Sequence, residues 1–156
     1  MPIRRTTLCI AALMMSALPA LATGGFGCEA ADKNVKLEAN AGMQRGGAGA
    51  LLNFKAEIES LLKNTPEDFR KLSLDREAIS QHWIDGRDFK LRLYTERTQG
   101  LFGALELVIE AVQRSKDKDE GTYKGRYTLT IENMETEQSS EAKTLKASGN
   151  IVCFVE

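Results

Sequence analysis

The segment "ISQHWIDGRDFKLRLY" brings Ser80, His82 and Asp88 close together and holds the only histidine and the only tryptophan of the chain. A hydroxyl, an imidazole and a carboxylate are the parts of a hydrolytic relay, in which the base takes the nucleophile's proton and the acid fixes the base. Whether the three meet depends on the hairpin that carries them, whose turn is marked by Asp85-Gly86. If those two residues form the loop, Ile84 faces Arg87 and His82 faces Phe89, so His82 turns inward with Leu91 and Leu93 and Trp83 stays outside. If the loop is Ile84-Asp85-Gly86, with Gly86 left-handed, Trp83 faces Arg87, Gln81 faces Phe89 and Ile79 faces Leu91. The second register buries Ile79 and Trp83 where the first buries Ser80 and His82. A large apolar side chain gains roughly 1.5–3 kcal/mol on burial, and an unpartnered polar group costs on the order of 1–3 kcal/mol. The sequence therefore predicts Trp83 inward and His82 opposite Asp88 on the outer face, with Ser80 beside it.

Proximity alone is not a relay. A nucleophile needs a strained or exposed vertex and donors for an oxyanion, and Ser80 lies within a strand with no G-x-S-x-G context. The group reads first as solvated polar side chains and second as a small hydrolase. On the same outer face, Lys90, Arg92 and Tyr94 combine cationic and aromatic groups that can hold a sugar or an anion; the rival reading is an ordinary strand surface. "DKDEG", residues 117–121, resembles a piece of a calcium loop, but Lys116 and Lys118 stand where oxygen ligands are needed. One histidine and two paired sulfurs are too few for zinc. No metal and no cofactor is expected.

The cysteines set the compartment. Residues 1–22 read as a secretory signal peptide: Arg4 and Arg5, an apolar run from Leu8 to Leu18, then Pro19 and Ala20-Leu21-Ala22. The run is too short to cross a bilayer as a helix, for which about 20 residues are needed. Cleavage after Ala22 removes Cys9 and leaves Cys28 and Cys153, an even pair that an oxidising compartment joins as a disulfide. A lipid on Cys28 is the alternative; Gly27 suits it, but Gly25-Phe26 lacks an aliphatic residue before it. No C-x-x-C spacing supports a redox pair. Export to the periplasm or the cell exterior follows.

Of the 156 residues, 134 remain as residues 23–156, enough for one domain. Losing two arginines leaves 19 basic against 22 acidic residues, a formal charge of −3. That balance gives no basic field for nucleic acid or anionic lipid. No later segment is apolar enough to span a membrane.

The elements follow from two-residue alternation. Leu105, Leu107, Ile109 and Ala111 share one face, and Tyr123, Tyr127, Leu129 and Ile131 share another, around a polar connection: a hairpin. Gly125, on the inward side, implies a bulge or a close backbone neighbour. In "TLKASGNIVCFVE", Leu145, Ala147, Ile151, Cys153 and Val155 point inward, while Val152 and Phe154 point out, toward either a second cover or a contact surface. "NVKLEANA" alternates as a strand. "LLNFKAEIESLL" (51–62) fits a helix on propensity and a strand on the pattern of Leu52, Phe54, Ala56 and Ile58; the strand is preferred because its neighbours are strands. Thr65 as cap, Pro66 and two acids predict a short helix. The sum is a mainly β chain, a single antiparallel β-sandwich or partly closed barrel of six to eight strands with one short helix. Its expected role is an exported, non-catalytic binding or interaction protein engaging another exported protein or an envelope glycan. A structural envelope component, self-associating through Val152 and Phe154, is a further alternative.

Overall fold

The computed structural model describes residues 24–43, 50–113, 121–138 and 141–155. The segment read as a signal peptide and most of the "DKDEG" connection lie outside the described residues. The chain runs through β1 (Gly24–Ala31), β2 (Val35–Met43), β3 (Leu51–Ser60), α1 (Glu67–Arg70), β4 (Lys71–Asp75), a 3-10 turn (Arg76–Ala78), β5 (Ile79–Asp85), β6 (Asp88–Glu96), β7 (Gly103–Val112), β8 (Thr122–Asn133) and β9 (Lys143–Val155). All nine strands form one antiparallel sheet in the order β4-β3-β2-β1-β9-β8-β7-β6-β5. The sheet curls until its two edges, β4 and β5, are neighbours in the chain, joined only by the 3-10 turn.

The edges therefore behave as one broken strand. β4 extends the C-terminal half of β3, from Lys55 to Glu59, and β5 extends the N-terminal part of β6. Counting β4 and β5 as a single position gives an eight-position, up-and-down barrel with a diagonal seam. One row of facing residues circles it, from Ser73 through Glu57, Glu38, Glu29, Val152, Lys124, Val112 and Asp88 to Asp85. Asp85 is twelve residues beyond Ser73, and that stagger over eight positions tilts the strands by about 45°.

The interior is filled by side chains. Phe26, Phe54, Phe89 and Tyr127 are buried with Ile58, Leu91, Leu93, Leu105, Leu107, Ile109, Leu129 and Ile131. The rings of Phe26 and Tyr123 flank Phe89 at centroid distances of 5.4 and 6.0 Å. β1 meets β9 over only four pairs, Phe26 to Glu29 against Val155 to Val152, and the Cys28–Cys153 disulfide joins the directly facing pair among them. Both cysteines point into the core, as the alternation predicts for Cys153. A sulfur in this bond does not carry a lipid thioether, so the disulfide and the lipid on Cys28 are alternatives.

Segment 51–60 is a strand, as preferred, but Leu51 rather than Leu52 is buried. Asn53 takes a left-handed φ of 51° where the pairing with β2 shifts register, and this bulge reverses the alternation before Phe54. Thr65 is not a helix cap: its buried hydroxyl donates to the Leu62 carbonyl at 2.9 Å and meets Ser60 Oγ at 2.8 Å. The helix is a single turn led by Pro66. It covers one end of the barrel, where Phe69 is buried beneath the Arg97 guanidinium. Arg97 in turn bonds Asp68, the Leu101 carbonyl and Asn133, tying the β3–β4 and β6–β7 connections to the end of β8. At Gly125 the close-approach reading holds, since a Cβ there would lie 1.9 Å from the Glu110 carbonyl oxygen.

Candidate functional site

The hairpin that carries Ser80, His82 and Asp88 adopts neither expected register. Its loop is Gly86-Arg87, closed by Asp85 opposite Asp88, with the positive φ of 57° at the first central position. Ile84 then faces Phe89, His82 faces Leu91 and Trp83 faces Lys90. A bulge at Ser80 resets the phase, so that Ile79 faces Leu93. Turn and bulge together let Ile79, His82 and Ile84 share the inner side. The prediction that Trp83 turns inward is corrected: it is 40% exposed on the outer face. Unbulged strands bury either Trp83 with Ile79 or His82 with Ser80, whereas the bulge at Ser80 brings Ile79 and Ile84 inward together.

This pairing separates the three groups. The Ser80 hydroxyl donates to the Arg92 carbonyl at 3.1 Å. His82 lies half-buried on the inner side, at a cleft also lined by Leu51, Arg76 and Ile79. Asp88 is on the opposite face of the sheet, exposed. The hydrolase arrangement of Ser80, His82 and Asp88 is not assembled.

Lys90, Arg92 and Tyr94 do line the outer face of β6, as the alternation indicates, and each holds a neighbouring carboxylate. Lys90 Nζ bonds Glu110 Oε1 at 2.8 Å, Arg92 pairs with Glu106, and the Tyr94 hydroxyl donates to Glu96. The hydrogen bond to Glu110 raises the Lys90 ammonium above its ordinary value, and that to Glu96 does the same for the Tyr94 phenol. Arg92 and Tyr94 share with Ala104, Glu106, Thr130 and Glu132 a cleft of about 240 Å³. Its one cation, Arg92, is committed to Glu106, which leaves little for an anionic ligand.

A larger groove, about 550 Å³, crosses the outer faces of β1 to β4 and reaches Val152. Along it Glu57 directly faces Glu38, and Glu38 directly faces Glu29. Like charges opposite one another on adjacent strands destabilise a sheet. Only Glu38 has a side-chain partner, the Asn40 amide at 2.9 Å; Glu29 and Glu57 have none among the described residues. In the next row Lys36 bonds Glu59 at 3.1 Å, and Lys71 also lines the groove. Beside it Val152 and Phe154 are exposed, the Phe154 ring lying over Gly27. These two side chains are thus exposed on the outer side of β9, which itself lies inside the sheet between β1 and β8.

Sequence reasoning missed the glutamate row because it joins three strands whose pairing had to be known first. Glu38 and Glu57 were readable as outward positions of alternating segments, whereas "GGFGCEAA" carries too many small residues to announce β1. Among the described residues no cluster of three metal-ligating side chains occurs, and no helix is long and apolar enough to cross a membrane. No protein-family model, curated protein or solved structure matches the chain.

Proposed function

We propose that the chain is an exported, non-catalytic binding protein of the periplasm or cell exterior, engaging another exported protein or an envelope glycan through the groove on its outer face. The observation that carries this reading is the row Glu29, Glu38, Glu57. A sheet that only has to be stable gains nothing from three facing carboxylates, while a ligand presenting a cationic group converts their repulsion into affinity. The disulfide supports an oxidising compartment. The groove's acidic character sets nucleic acid aside as a partner.

Replacing Glu29, Glu38 and Glu57 together by Gln tests the reading. Cross-linked capture of envelope components by the purified protein is expected to fall about tenfold or more, while the melting temperature stays level or rises as the repulsion is removed. Unchanged capture with a lowered melting temperature would show the row to be structural and would overturn the proposal. The structural-component reading rests on the exposed Val152 and Phe154; it requires stable oligomers in sedimentation, and a strict monomer removes it.

A further inference from the structure

The outer face of β9 carries an apolar pair flanked by opposite charges. Val152 and Phe154 are exposed there. In the row through Val152, Glu29 of β1 stands on one side and Lys124 of β8 on the other. Their backbones are two strand spacings apart, about 10 Å. Both side chains are exposed, and Glu29 has no side-chain partner among the described residues. In the next row outward along β9, Asn150 lies beside Arg126, whose guanidinium donates to Ser148 Oγ at 3.1 Å. In the opposite direction Phe154 lies between Gly27 and Thr122, both uncharged.

An acid on one side of an apolar strand and a base on the other form a patch that fits its own copy. A twofold contact presents the same patch from both copies, so the patch must complement itself. An axis running across the strands sets Glu29 against Glu29 and Lys124 against Lys124, which repels. An axis running along β9 sets Val152 and Phe154 against their own images and brings Glu29 opposite Lys124 of the second copy, twice. Gly27 then meets Thr122, and no like charges face one another in these rows of β1, β9 and β8. Two barrels touch along a narrow line. The next charges out in the row, Glu38 and Glu57 on one flank and Asp88 on the other, therefore curve away from the contact. We propose that the chain forms a twofold dimer through the outer face of β9, with Val152 and Phe154 packed on the axis and two Glu29–Lys124 pairs closing its sides. The proposal rests on the self-association reading of this face, to which it adds a closed two-copy geometry and the ion pairs that fix it. Glu38 and Glu57 stay open to a ligand of the groove.

The test is charge reversal in trans, read by sedimentation velocity. The disulfide-bonded protein is expected to show monomer and dimer in exchange, with the dimer weakened by added salt. Glu29→Lys alone and Lys124→Glu alone each weaken the dimer about tenfold or more, because both pairs become repulsive. An equimolar mixture of the two variants recovers it, since each then supplies the charge that the other lacks. Val152→Ser weakens the dimer through lost apolar contact and leaves its salt dependence in place. Where a reversed charge prevents a cooperative melt, Glu29→Gln and Lys124→Gln are expected to remove the salt dependence, and its persistence would count against the pairing. A monomer at millimolar concentration, or a mixture no more dimeric than its two components, would overturn the proposal. Larger oligomers indifferent to both charges would overturn it as well but leave the self-association reading standing. A monomer that still captures envelope components would leave the groove reading standing, so the readings fail separately.

Discussion

Tyr127 shows how one side chain can hold two distant parts of the barrel together. Its ring is fully buried, crossing Gly149 on β9, and its hydroxyl donates to Asp32 Oδ2 at 2.7 Å in the β1–β2 turn. A Cβ at position 149 would lie 2.6 Å from the ring and 2.1 Å from that carboxylate, so only glycine leaves the path open. Asp32 also accepts from the backbone N–H groups of Asn34 and Val35 at 2.7 and 3.0 Å. Desolvation pushes the Asp32 carboxyl upward, but these three donors outweigh it and hold it below the usual range. Burial, and then the Asp32 carboxylate, push the Tyr127 phenol well above its ordinary value. Tyr127→Phe is expected to cost about 1–2 kcal/mol in urea unfolding, as for a hydrogen bond to a partly solvated charge. Because the folded Asp32 value is depressed, this difference is full above a pH of about 4 and is lost as pH falls through the folded value. The raised Tyr127 value acts at the other end: its contribution is full below a pH of about 10 and is lost as pH rises through the folded value. A difference independent of pH across the acid range would contradict this pairing. Nothing in the sequence announces it, since Asp32 and Tyr127 are 95 positions apart.

At the scale of elements, the alternating segments were legible and their junctions were not. Leu105 to Ala111 and Tyr123 to Ile131 pair as their alternation demands. Cys153 faces inward for the same reason. β4 escaped notice because five residues are too few for a pattern, and it has meaning only as the first half of a strand that β5 completes. The β5–β6 register was misread because one turn residue and one bulge each shift phase, and a two-state comparison of loops contained neither. Paired substitutions decide the register. Trp83→Ser on the outer face is expected to cost within about 1 kcal/mol, while Ile84→Ser, which strips a half-buried side chain packed against the core, costs about 2 kcal/mol. Chemical denaturation of the two variants reads this directly, and the reverse order would restore the register with Trp83 inward. The same register removes the relay: with His82 and Asp88 on opposite faces, the candidate site moved from the hairpin to the surfaces beside it.

Over the whole molecule, the two junctions of the sheet differ. Between β1 and β9 the closure is short in hydrogen bonds and covalent at its centre; between β4 and β5 no strand pairing is present among the described residues. The cross-link spans 125 positions of sequence, so in the chain-entropy picture it restrains nearly the entire unfolded chain, a gain of about 4–5 kcal/mol at its upper limit. That single bond is also compatible with an oxidising compartment, from which a partner for the groove would come. The measurement that bears on it most directly is the intact mass of the protein purified from its native cells, taken before and after reduction. The expected species begins after Ala22 and is lighter by two hydrogens before reduction than after. A mass retaining residues 1–22, two alkylatable thiols without reductant, or an added acyl group would contradict the account.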